Sequence, residues 1–180
     1  MKKVLIALFS ILLFTACNSE RSKMQDEILA LEKKAIADSS NFTFDVKVQN
    51  ELGTKLIAFA EKFPEDKQSD EYLFKAASIY IGMGQSQKAL ETLRKYLKVY
   101  PGGKKAPEAV FNIGYVYDTQ LHDAVKARES YEAFITNYPQ HPLAKDTRMM
   151  IELLDMHMSD EDLVHSFLAK EDSIAAAKKK

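Results

Sequence analysis

The sequence is poor in several residue types that define particular classes of protein. Its 180 residues include one cysteine, no tryptophan, six glycines and five prolines. A single cysteine rules out an intrachain disulfide framework, and the lack of tryptophan removes the side chain that most often stacks on sugars. The 25 Lys and Arg side chains balance 26 Asp and Glu side chains, so the chain lacks the basic excess of a nucleic-acid-binding protein.

The residues that are present are typical of an ordinary folded domain preceded by a signal. Hydrophobic residues make up 46% of the sequence, which excludes wholesale disorder. After a start with two lysines, residues 4–16 are mostly apolar and end just before Cys17. A charged start, a short apolar stretch and small residues before a break are typical of a secretory signal. Because a membrane-spanning helix needs about 20 apolar residues, we predict a signal peptide over residues 1–16.

Residues 13–17 (LFTAC) resemble the lipobox of bacterial lipoproteins, with Phe14 in place of the usual leucine. The resemblance implies that Cys17 is acylated, since two or three acyl chains hold a protein stably on a membrane. Asn18 stands where inner-membrane lipoproteins of the enteric type have aspartate, which implies the outer membrane. Mixed charges in the following residues favour the periplasmic side, and we predict that residues 17–23 form a polar tether. A plain secretory signal and an incidental thiol are the alternatives.

Aromatic-Pro pairs recur along the chain and mark a repeat. Phe63-Pro64, Tyr100-Pro101 and Tyr138-Pro139 lie 37 and then 38 residues apart. Since proline ends a helix and disfavours helical geometry in the residue before it, each pair predicts a helix end. Apolar residues at matching distances before each proline lie three or four apart, which is the spacing of one helix face. The matching columns are Leu56, Leu93 and Tyr131; Phe59, Tyr96 and Phe134; and Ala60, Leu97 and Ile135.

The helix that precedes each of the last two pairs also recurs. Ala89 matches Ala127 at a distance of 38 residues, which predicts one extra residue in the turn of the second copy. Small residues in these columns allow the two helices of a hairpin to approach closely. The columns at a distance of 37 are Leu73 with Val110, Phe74 with Phe111, Ala77 with Gly114, and Tyr80 with Tyr117.

This pattern resembles the tetratricopeptide repeat (TPR), a helix-turn-helix unit of about 34 residues. The resemblance covers residues 49–144, with full copies over 70–101 and 107–139 and the longer period of bacterial envelope repeats. It implies an all-α fold, an α-solenoid of about eight helices over residues 24–180. Among such proteins the chain resembles the repeat lipoprotein of the β-barrel assembly machinery and the TPR module of the Tol-Pal coordinator. The flanking helices are predicted over residues 24–38, 45–63, 143–158 and 160–178.

The concave side of a TPR array offers an extended surface for a partner segment. The resemblance implies that the first helix of each hairpin supplies this groove, through equivalent positions in the two full copies. Phe74 and Phe111 fit core packing equally well, whereas Tyr115 offers a large contact area with a polar tip. Four methionines between 149 and 158 fit either core filling or an adaptable surface, and we expect packing. The predicted groove residues are Phe74, Ser78, Ile81, Phe111, Tyr115 and Asp118.

No motif in the sequence indicates catalysis. We predict no catalytic residue, no bound metal and no cofactor, and we expect neither nucleic acid nor a small molecule as ligand. Gly82 and Gly84 lie between two predicted helices, so we interpret them as part of a turn and not of a phosphate-binding loop. His157 and His165 match no zinc-binding spacing. They are the basis of one less favoured alternative, a metal-dependent hydrolase.

We therefore expect a lipid-anchored adaptor of the outer membrane that faces the periplasm and holds envelope proteins or peptide segments. Assistance to β-barrel assembly is the first hypothesis for its pathway. The alternative is the recruitment of cell-wall enzymes or action with the Tol-Pal system. A glycan-capturing lipoprotein is a further alternative, although the known helical-repeat examples are much longer chains.

Overall fold

The computed structural model describes residues 19–37, 45–157, 164 and 168. Every regular element within those residues is an α-helix, which confirms the predicted all-α fold. The predicted signal peptide, Cys17 and most of the predicted last helix lie outside the described residues. The helices described over 19–37 and 45–157 are α1 (residues 19–37), α2 (Val46–Lys62), α3 (Ser69–Gly82), α4 (Ser86–Val99), α5 (Ala106–Thr119), α6 (Ala124–Asn137) and α7 (Ala144–His157).

The three aromatic-Pro pairs end their helices in the same conformation. Phe63, Tyr100 and Tyr138 have φ between −124° and −132° and ψ between 55° and 60°, outside the helical region that a following proline disfavours. Each amide donates a hydrogen bond to the carbonyl four residues earlier. Each ring lies 5.1 to 5.9 Å from the aromatic ring four residues before it. One turn geometry therefore recurs at all three sites.

The chain divides into two compact units, residues 1–83 and 84–180. In the first unit α2 packs against α3, and in the second α4, α5, α6 and α7 pack in succession. The boundary separates the two helices of the first full copy predicted over 70–101. Within the first unit, α3 makes its extensive contacts with α2, across the aromatic-Pro turn.

The core of the first unit lies between α1, α2 and α3. Phe59 and Leu56 are fully buried there, and Ile28 of α1 joins them. Gly53 allows α2 to approach Tyr80 of α3, since a Cβ at Gly53 would lie 2.9 Å from the tyrosine Cζ. Ile28, Leu31 and Ala35 all face inward as their helical spacing predicts, because Ile28 and Ala35 are buried and Leu31 is packed against the core.

The polar tether predicted over residues 17–23 needs a correction, because the chain is already helical at Ser19. Arg21 pairs with Asp66, and Glu20 pairs with Lys62. These ion pairs attach the first turn of α1 to the end of α2 and to the turn that follows it. Mixed charge in this segment therefore reflects specific pairing within the fold, which composition alone does not distinguish from a solvated linker.

Of the columns predicted from the repeat, the second unit buries those of Leu93 and of Tyr96, whereas Leu97 and Ile135 are half-buried. Leu93 and Tyr96 on α4 and Tyr131 and Phe134 on α6 are fully buried, as are the small residues Ala89 and Ala127. Gly114 lies against the ring of Tyr131, where a Cβ would be 2.5 Å from Cδ1. The predicted role of the small positions is thus confirmed for the hairpin formed by α5 and α6.

The turn before α4 contains Gly84 at φ 66°, and the turn between α5 and α6 contains His122 at φ 53°. These two residues are 38 apart, like Ala89 and Ala127. The first turn covers three residues between helices and the second covers four, which confirms the extra residue predicted for the second copy. A left-handed residue closes both turns, and glycine adopts that conformation more easily than histidine.

Candidate partner-binding surface

The first-unit positions of the predicted groove lie on one face of α3. Ser78 is exposed, and its hydroxyl donates a hydrogen bond of 3.1 Å to the carbonyl of Phe74. Phe74 and Ile81 are half-buried. Ser78 therefore satisfies its hydroxyl donor within α3, between two half-buried apolar side chains of the same helix.

In the second unit, Phe111 is held by its own hairpin. Its ring centroid lies 5.6 Å from that of Tyr131 and 5.8 Å from that of Phe134. Aromatic pairs at this separation stabilise packing beyond their buried area. Phe111 is nevertheless only half-buried, so part of this residue remains on the surface of α5. Its main contacts are therefore within the core of the hairpin.

Tyr115 and Asp118 lie beside Tyr131 on the same hairpin. The buried Tyr131 hydroxyl donates a hydrogen bond of 3.2 Å to Oδ2 of Asp118. Burial raises the pKa of Tyr131 above its ordinary value, and the charge of Asp118, its hydrogen bond and the nearby Tyr115 add to that effect. One oxygen of the Asp118 carboxylate therefore already accepts a hydrogen bond within the hairpin. Tyr115 keeps 37% of its surface exposed, which makes it the most available of the three predicted residues on α5.

Sequence reasoning missed a stripe on α7 that continues this surface. A shift of 38 residues carries Phe111, Tyr115 and Asp118 onto Met149, Leu153 and Met156. These three side chains are 54%, 52% and 70% exposed, so the expectation that the methionines pack in the core is wrong for Met149 and Met156. The same shift places Glu152 where α5 has Gly114, so the repeat pattern degrades there although its register continues. Extending the shift of 38 into α7 would have found the stripe.

An ion-pair network fixes α7 to α6 and so positions the stripe. The buried Arg128 donates from Nε to Asp155 of α7 at 2.6 Å and from Nη1 to Glu132 at 2.8 Å. Burial opposes the charge on Arg128, but the hydrogen bond to Asp155 and the charge of Glu132 keep its pKa above the ordinary value. Asp155 takes the position that Tyr117 has on α5, where the tyrosine hydroxyl accepts a hydrogen bond from Arg94 of α4.

The residues of the hydrolase alternative lie mostly outside the described part of the chain. His165 is outside it, and His157 is described only as the last residue of α7. Over the described residues, no three or more histidine, cysteine or acidic side chains are grouped so that they could hold a metal. Within the same residues, no helix is long and apolar enough to span a membrane.

Comparisons with known proteins give a family. A search of curated proteins found no match. Solved structures that resemble the chain include the crystal structure of MamA, with 23% sequence identity, a TM-score of 0.44, and coverage of 90% of this chain and 96% of that chain. The family YfiO, described as outer membrane lipoprotein, matches residues 53–179. Since this match spans more than half of the 180 residues, the chain belongs to the YfiO family of outer membrane lipoproteins.

Proposed function

We propose that this protein is an adaptor, anchored through an acylated Cys17 to the periplasmic side of the outer membrane, that binds segments of other envelope proteins. Tyr115 of α5 and the α7 stripe (Met149, Leu153 and Met156) form its principal binding surface. Family membership supports the location and the general class of the protein. Within that class, we assign the adaptor to the assembly of outer-membrane proteins, the pathway first suggested by the repeat pattern.

The proposal rests on the exposed apolar face of α7. Three large apolar side chains on α7 are more than half exposed, and they occupy the positions that the repeat assigns to a partner surface. Exposed apolar side chains scattered singly are normal, whereas grouped ones mark interaction sites. Methionine suits such a site because its flexible, polarizable side chain adapts to different partners. Apolar segments of an extended or helical partner are the chemistry that this stripe fits.

The experiment is an affinity capture of the full-length acylated protein from solubilised envelopes, followed by mass spectrometry. Leu153→Asp introduces a charge into the stripe, and Val99→Asp is the matched control at an apolar side chain of similar exposure on α4. The proposal expects assembly components to be retained by the native protein and by Val99→Asp, and lost with Leu153→Asp. Capture of cell-wall enzymes in place of assembly components would show that the adaptor acts with cell-wall enzymes. Equal capture by both variants would refute the binding surface.

A further inference from the structure

The start of α1 determines how far the first unit can stand from its membrane anchor. The chain is helical at Ser19, so at most one residue lies between the helix and the proposed lipid attachment at Cys17. Two Cα–Cα steps span at most about 8 Å. The headgroup layer of one leaflet is about 6 Å thick, half the difference between the whole bilayer and its hydrocarbon core. A folded α1 therefore leaves no length for a spacer.

The first turns of α1 are attached to the rest of the unit and do not stand alone. Arg21 pairs with Asp66, Glu20 with Lys62, and Gln25 hydrogen-bonds to Gln68. Burial raises the pKa of Asp66, but the Arg21 hydrogen bond and the backbone amide of Gln68 outweigh it and hold that pKa below its ordinary value. One turn further on, Ile28 is buried in the core of the unit. Unwinding α1 to make a longer tether would break all of these contacts.

The ion pairs also show which end of the unit lies nearest to Cys17. Along α1, Glu20 pairs with Lys62 and Glu27 pairs with Lys55, so α1 and α2 are antiparallel. The start of α1, the last turn of α2 and the turn over residues 63–68 consequently lie at one end. We call this the anchor end. It exposes Lys67, whose ammonium group fits the phosphates of lipid headgroups, while the Lys62 ammonium is paired with Glu20.

We propose that the anchor end rests on lipid headgroups, so that Cys17 holds the first unit directly against the bilayer. This inference depends on the lipid attachment that belongs to the proposed function. The ligand is the phosphate-bearing surface of the membrane, contacted by Lys67 and by the neighbouring last turn of α2. The orientation of the first unit is then set by the ion pairs of α1 and not by a partner protein.

The test uses the full-length acylated protein in vesicles of phosphatidylethanolamine and phosphatidylglycerol. Acylation blocks the thiol of Cys17, so a fluorophore can be attached at one introduced cysteine. Lys67→Cys reports on the anchor end. Lys34→Cys is the matched control, since it replaces another exposed lysine about 22 Å along α1 from Ser19. Quenching by lipids that carry a headgroup quencher measures the proximity of each label to the bilayer surface.

We expect severalfold stronger quenching at position 67 than at position 34. A twelve-residue Gly-Ser linker between Asn18 and Ser19, which spans about 19 Å, should remove that difference. Equal quenching at the two positions in the native protein would overturn the inference while leaving the anchor intact. Failure of the native protein to float with the vesicles would overturn the anchor, and with it both this inference and the membrane part of the proposed function.

Discussion

At the scale of single residues, two helical glycines that face tyrosine rings leave no space for a side chain. Gly53 faces Tyr80 in the first unit, and Gly114 faces Tyr131 in the second. In each pair the two helices lie so close that a Cβ would approach the ring to less than 3 Å. Because interiors are packed at the density of organic crystals, the neighbouring fully buried ring of Tyr131 has little room to move.

Replacement of Gly114 by alanine should therefore destabilise the second unit. Overpacking costs about 1–3 kcal/mol, which exceeds the gain of about 1 kcal/mol that alanine brings to a helix interior. Chemical denaturation followed by circular dichroism measures the difference. Gly102→Ala is the control, because nothing lies within 4 Å of a Cβ there. A Gly114→Ala protein as stable as the Gly102→Ala protein would contradict the packing described for this hairpin.

Asp66 links the stability of the first unit to pH. Its pKa is lower in the folded protein than the ordinary 3.8, because the Arg21 and Gln68 hydrogen bonds outweigh the opposing effect of burial. A lowered pKa contributes stability that is present above 3.8 and is lost as the pH falls through the folded value. Asp66→Asn should reduce stability at pH 7 and show a smaller further loss between pH 5 and pH 2 than the native protein. Urea unfolding midpoints measured between pH 5 and pH 2 test this prediction. If the midpoints of the two proteins fell equally with pH, Asp66 would not be the source of the pH dependence.

At the scale of the elements, the turns between α3 and α4 and between α5 and α6 each contain one left-handed residue. Gly84 and His122 both have positive φ, a conformation that costs residues other than glycine about 1–2 kcal/mol in the helical case. Gly84→Ala should lower the unfolding free energy by about 1 kcal/mol, whereas His122→Gly should raise it or leave it unchanged. Thermal unfolding of the two variants measures whether each substitution raises or lowers the stability. A stabilising Gly84→Ala would contradict the turn geometry.

The helix ends were predictable because their causes are local. Asp45 accepts hydrogen bonds from the amides of Lys47 and Val48, and a side-chain cap of this kind is visible in the sequence. Proline likewise acts on its immediate neighbour, so three turns were identified from three aromatic-Pro pairs. The α7 stripe was missed because its exposure depends on contacts with other helices. Sequence periodicity gives the position of a face but does not state whether another helix covers it.

The attachment of α7 to α6 rests on a charged contact that no local pattern revealed. Asp155→Asn would leave the buried Arg128 with Glu132 as its remaining counter-charge in the network described here. We expect a loss of about 1–2 kcal/mol, at the low end for a charged hydrogen bond because Asp155 is partly exposed. Hydrogen exchange should then accelerate at the amides of α7 before those of α5. Glu152→Gln, at an exposed residue of the same helix, should leave the exchange rates unchanged, and an unaltered Asp155→Asn protein would show that the ion pair does not hold α7.

At the scale of the whole molecule, each unit carries one part of the proposed activity. The first unit provides the ion-paired α1 that follows Cys17, and the second provides the exposed stripe of α7. The proposed role requires no catalysis from either unit, because an adaptor acts by holding a partner at a fixed place.

The most direct test of this account is photo-crosslinking in living cells. A photoreactive amino acid at position 153 of α7 would capture whatever protein touches the stripe, and the same amino acid at position 99 of α4 serves as the control. We predict that position 153 forms a discrete crosslink to an envelope protein of the outer-membrane assembly pathway and that position 99 does not. No crosslink at position 153, or the same crosslinks at both positions, would contradict the claim that α7 is a partner-binding surface.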